Sequence, residues 1–87
     1  MAGPDLARVR RDIVEEVAQR AKVSVDAVGD DVDLRLQLGL SSIDLLSVLA
    51  HVEQELGISF PDEELEHLTT MRRIDAKLKE LVGGDGG

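Results

Sequence analysis

The stretch from Ser41 to Gly57 constrains the fold more than any other part of the chain. Within it Leu45, Val48, Leu49, Val52 and Leu56 recur at helical spacing, and at about 100° per residue they share one face, which must be the core face. Ser41 followed three positions later by Asp44 is a capping box: the serine hydroxyl accepts from the Asp44 backbone N–H and the carboxylate reaches back. The helix therefore starts at Ser42 and ends at Gly57, a residue suited to a left-handed cap. Ile43, Leu46 and Ala50 fall on a different face beside Ser42, with Ser47, His51 and Gln54 beyond them. Those apolar residues are either a docking surface or ground covered by a neighbouring loop, and periodicity alone leaves both open.

Two further stripes frame this helix. Leu6, Val9, Ile13 and Val17 predict a first helix that begins near Pro4 and Asp5, and Met71, Ile74, Leu78 and Leu81 predict a last one capped by Thr69 or Thr70 and ended at Gly83. Pro61-Asp62-Glu63-Glu64-Leu65 reads as a short third helix with acidic residues at the favoured end of its dipole, and Ile58-Ser59-Phe60 before it as extended. Between the first two helices, Val23 to Leu40 has no clear period. It holds Val23, Val25, Val28, Val32, Leu34, Leu36 and Leu38 as apolar anchors, one helical turn at Ser24-Val25-Asp26-Ala27 and a chain reversal at Gly29-Asp30-Asp31. A loop of that length is functional or pinned. Residues 1–82 are read as one domain and 83–87 as a flexible glycine-rich tail, and the Met1 start as that of a free-standing protein.

Composition excludes several functions. A chain of 87 residues buries only about 60% of the surface it exposes when unfolded, which leaves little room for an enclosed active site. A formal net charge of −8 argues against nucleic-acid or anionic-membrane binding, because both need clustered cations. There is no cysteine, so thiol chemistry would have to arrive on a cofactor. With no signal peptide and no membrane-length apolar run, the cytoplasm is the expected location, and a monomer is the expected state.

A serine hydrolase would need Ser42 beside a histidine. His51 lies nine residues on, at the opposite side of the same helix, while His67 is not excluded by spacing. The acidic runs Asp30-Asp31-Asp33 and Asp62-Glu63-Glu64-Glu66 lack metal-loop spacing and read as solvated faces, so no metal site is expected.

Leu38-Gly39-Leu40-Ser41-Ser42-Ile43-Asp44 resembles the Leu-Gly-x-Asp-Ser-Leu-Asp signature of acyl carrier proteins and the similar peptidyl carrier domains. Glu55-Leu56-Gly57-Ile58-Ser59-Phe60-Pro61-Asp62-Glu63-Glu64 follows at that family's spacing, and Leu68-Thr69-Thr70 and Ile74 fall where its last helix begins. The resemblance implies an all-α four-helix bundle with a long first loop and a short third helix. It also implies that Ser42 receives 4′-phosphopantetheine from coenzyme A through a separate phosphopantetheinyl transferase using Mg²⁺, and that the chain is no enzyme itself. Acyl groups would then travel as thioesters to acyl- or aminoacyl-loading and condensing enzymes, whose docking contacts would be Ser41, Ile43, Asp44, Leu46, Ser47 and Ala50.

Two departures bear on the pathway. Ser41 stands where the family usually has Asp, and Ser47 stands where carriers of fatty-acid synthesis often present Glu, with His51 one turn on. This favours polyketide or related natural-product assembly over fatty-acid synthesis, with nonribosomal peptide assembly as the other specialised reading. Two readings outside carriage are an unmodified helical adaptor and a small enzyme using His67.

Overall fold

The computed structural model describes residues 5–83, so the expectations for Pro4 and for residues 84–87 lie outside the described residues. Helix α1 spans Leu6–Ala21, a single 3-10 turn Val25–Ala27, α2 Ser42–Leu56, α3 Asp62–Leu65 and α4 Met71–Gly83, with no strand among the described residues. This is the expected all-α arrangement. Helix α1 lies against α2, α4 and the 3-10 turn.

Local chemistry explains the boundaries. Asp5 accepts from the N–H groups of Ala7 and Arg8, and Ser41 caps α2 by accepting from the Asp44 N–H, each satisfying donors that a helix start leaves open. Thr70, not Thr69, supplies the cap of α4: its hydroxyl accepts from Arg73 N–H at 3.2 Å. Gly57 takes the left-handed cap of α2 at φ 67°. Helix α1 instead ends on Lys22 at φ 61°, a conformation that costs a non-glycine residue and that nothing in the sequence announced. Gly83 is the last residue of α4 and not the one beyond it.

The core is aliphatic around one ring. Val9, Ile13 and Val17 of α1, Leu45, Val48, Leu49 and Val52 of α2, and Met71, Ile74 and Leu78 of α4 are buried together with Phe60 and Leu68. Leu6, Leu56 and Leu81 pack at its edge.

The long segment after α1 is pinned, but by fewer anchors than its apolar residues predict. Of the seven, Val28 and Leu34 are buried and Val23 and Leu38 pack against the core, whereas Val25 is 47% and Leu36 87% exposed. Residues 34–38 form a tight turn, and a side chain two positions after an inward one on such a turn points outward, which is why Leu34 enters the core and Leu36 does not. The aspartates of this segment do more than the solvated-face reading allowed. Asp30 pairs with Arg10, Asp31 with Arg72 at 2.6 Å, and Asp33 accepts from the N–H groups of Arg35 and Leu36. Backbone bonds from Leu34 N–H to Thr69 carbonyl at 2.8 Å and from Arg72 N–H to Asp30 carbonyl at 3.0 Å then stitch the loop to the start of α4. The second acidic run contributes likewise through Glu64, which pairs with Lys77 of α4.

Candidate functional site

Gly39, at φ 79°, turns the chain between half-buried Leu38 and buried Leu40 and delivers Ser41 to the start of α2. The left-handed conformation there favours glycine. Ser41 Oγ and Asp44 then bond reciprocally: the Asp44 N–H donates to Ser41 Oγ at 3.0 Å, and the Ser41 hydroxyl donates to Asp44 Oδ2 at 3.0 Å. The return contact thus also engages the serine hydroxyl. Asp44 Oδ1 accepts from Arg20 of α1 at 3.0 Å, and hydrogen bonds from the Ser41 side chain first and Arg20 second hold the Asp44 carboxyl below its ordinary range.

Ser42 is the first helical residue, and it is exposed. The first hydrogen-bonded amides of α2 are Asp44, to Ser41 Oγ, and Leu45, to the Ser41 carbonyl at 3.1 Å, so the N–H groups of Ser42 and Ile43 carry no intrahelical bond. Beside Ser42 opens a cleft of about 90 Å³ lined by Arg35, Ser42, Leu45, Leu46, Leu65 and Glu66. That is the volume of about three water molecules in the liquid.

The apolar face of α2 is uncovered: Ile43 is 76% exposed, Leu46 46%, and Ala50 is exposed as well. The first loop leaves Ile43 and Ala50 open and only borders Leu46, through Arg35 in the shared cleft. Ser47 is half-buried and so less available than its neighbours. Asp44 and His51 share the flank of α2 that meets α1, where His51 Nδ1 lies 2.8 Å from Glu16 Oε2 and Arg20 Nε donates to the same oxygen at 2.9 Å. No local pattern signals this chain of contacts from Ser41 through Asp44, Arg20 and Glu16 to His51, because its members come from two helices. His51 is therefore engaged away from Ser42, and His67 is exposed and absent from the cleft lining. Among the described residues no group of three or more His, Cys, Asp or Glu is placed to hold a metal ion.

Residues 11–74 match the family described as the phosphopantetheine attachment site. The chain belongs to that family. Its members are carriers and not catalysts, which removes the histidine-dependent enzyme from consideration. Among relatives of this carrier, the acyl carrier protein of Streptomyces coelicolor is 35% identical over 65 residues, covering 75% of this chain and 71% of that protein. The acyl carrier protein of Saccharopolyspora erythraea is 26% identical over 77 residues, covering 84% and 81%. No helix among the described residues is long and apolar enough to cross a membrane.

The residues at the start of α2 fit the family's cofactor. An exposed hydroxyl is open to modification, unpaired amides lie next to it to receive a phosphate, and the cationic residue Arg35 shares its cleft.

The exposed face of this carrier yields a first expectation. Leu46→Asp should slow loading or acyl transfer while moving stability by no more than about 0.5 kcal/mol, as exposed substitutions usually do. Transfer kinetics and thermal melting on the same preparation check it, and a large drop in melting temperature would mean that Leu46 serves the core.

Proposed function

We propose that Ser42 carries the phosphopantetheine arm and that the chain is an acyl carrier delivering acyl groups to partner enzymes, in polyketide or related natural-product assembly. The observation that carries the reading is the exposed Ser42 hydroxyl at the capped start of α2, on the rim of a mostly apolar cleft. Once attached, the arm supplies the terminal thiol that this cysteine-free chain lacks, and acyl groups are held on it as thioesters.

Each neighbouring residue then has a part. Ser41 and Asp44 fix where the helix begins, so Ser42 is presented at a constant place and angle. The N–H groups of Ser42 and Ile43, at the positive end of the helix dipole, favour an attached phosphate. Ile43, Leu46 and Ala50 offer an apolar contact to the phosphopantetheinyl transferase and to acyl-loading and condensing enzymes. Incubation with coenzyme A, Mg²⁺ and a broad-specificity transferase tests the reading: intact mass should rise by one arm, and a chain that takes up none defeats it in favour of an unmodified adaptor.

The pathway reading rests on charge. Ser47 is neutral, and the carboxylate of Asp44 is already paired with Arg20, so few free anions flank Ser42 on α2. Electrostatic steering by an acidic carrier speeds encounter with basic enzymes and fades as salt screens beyond a Debye length of about 8 Å at physiological ionic strength. Docking of this chain should lean on the apolar face instead. Acyl transfer from a fatty-acid-synthesis acyltransferase to the holo protein should be slow and nearly insensitive to salt, and Ser47→Glu should raise it roughly two- to fivefold at low salt. Fast, steeply salt-dependent transfer to the unaltered chain would place it in fatty-acid synthesis.

A further inference from the structure

Arg35 lies on the long loop, seven residues before Ser42 in sequence, yet both line the same cleft. We propose that Arg35 is the phosphate-binding cation for the arm on Ser42, an inference that rests on Ser42 being the attachment residue.

Three observations carry it. The backbone at Arg35 is held on all sides. Leu34 before it is fully buried and donates its N–H to the Thr69 carbonyl at 2.8 Å, the Arg35 N–H donates to Asp33 Oδ1 at 3.0 Å, and its carbonyl accepts from Gly39 N–H at 3.0 Å. The Cα is therefore fixed relative to the start of α2, and only the side chain remains to be ordered. Next, the guanidinium is free. Arg10, Arg20 and Arg72 are each paired with carboxylates, whereas Arg35 pairs with none among the described residues. In a chain of net charge −8, an exposed cation left unpaired is available to a ligand. Finally, the chemistry matches. A phosphodiester on Ser42 has its phosphorus bonded directly to Oγ, at the edge of the cleft that Arg35 lines, and a guanidinium fork matches two phosphate oxygens. Glu66, the other charged residue of the lining, repels an anion, so Arg35 supplies the cleft's attraction for phosphate.

A phosphate contact from Arg35 is intramolecular and appears only after modification, which separates it from a general structural or partner-docking role. Apo and holo forms of the unaltered chain, Arg35→Gln and Arg35→Lys are compared by thermal melting and phosphorus NMR at low and high salt, after intact mass has established attachment. The apo forms should melt alike. Attachment should stabilise Arg35→Gln less than the unaltered chain by about 2 °C at low salt, with the difference lost at high salt, and should leave its phosphorus resonance shifted. Arg35→Lys, which keeps the charge but loses the fork, should fall between the two. If all three proteins are modified and show the same gain and the same phosphorus resonance, Arg35 does not hold the phosphate and the attachment assignment stands. If the unaltered chain takes up no arm, both readings fail together.

Discussion

Ser42→Ala should yield a folded chain that gains no mass when incubated with coenzyme A and a phosphopantetheinyl transferase, while Ser41→Ala should still be modified, more slowly. The two serines are adjacent but differ in what their hydroxyls do. Ser41 Oγ accepts from the Asp44 N–H and donates to the Asp44 carboxylate, so it is committed to the helix cap. Ser42 sits one residue inside the helix with its side chain exposed. Removing the Ser42 hydroxyl takes away the acceptor of the arm and disturbs no buried group, so melting should change little. Removing the Ser41 hydroxyl costs about 1 kcal/mol of cap and loosens the presentation of Ser42, which slows modification without abolishing it. Intact-mass time courses on both variants decide the matter, and arm uptake persisting in Ser42→Ala would reassign the site.

Leu34→Ala should cost about 2–5 kcal/mol, a large share of the stability of a domain this small. The expected fall in melting temperature is roughly 10–30 °C. Leu34 belongs to a loop, and loop residues are ordinarily tolerant. This one is fully buried in the core, and its N–H bonds to Thr69, so alanine would leave a cavity in the core beneath the loop. Leu36→Ala provides the contrast. Its side chain is 87% exposed, and its loss should change stability by less than about 0.5 kcal/mol. Urea and thermal denaturation of both variants measure the difference. A cost below about 1 kcal/mol at Leu34 would show that the loop closes over the gap and is not pinned there. Since the same turn carries Arg35 and leads into Gly39, the result also bears on how firmly the cleft beside Ser42 is built.

Much of this was legible in residues that act over one or two turns. The stripes Val9-Ile13-Val17 and Met71-Ile74-Leu78 locate α1 and α4, and the box of Ser41 with Asp44 fixes the start of α2 to the residue, because helical period and capping are properties of neighbours in sequence. The serine at that start and the face bearing Ile43, Leu46 and Ala50 were within reach for the same reason, while the carrier family was legible only through the resemblance of Leu38–Asp44 and Glu55–Glu64 to its signature. Only tertiary structure decided whether the apolar face is covered, which of seven apolar loop residues enter the core, and that Asp30, Asp31 and Asp33 fasten the loop instead of facing water idly. It also decided that Arg20 and Glu16 of α1 occupy Asp44 and His51 of α2, and that Arg35 shares a cleft with Ser42. Those facts depend on contacts between segments far apart in the chain, and a loop without a period carries no local signal of which side chain turns inward.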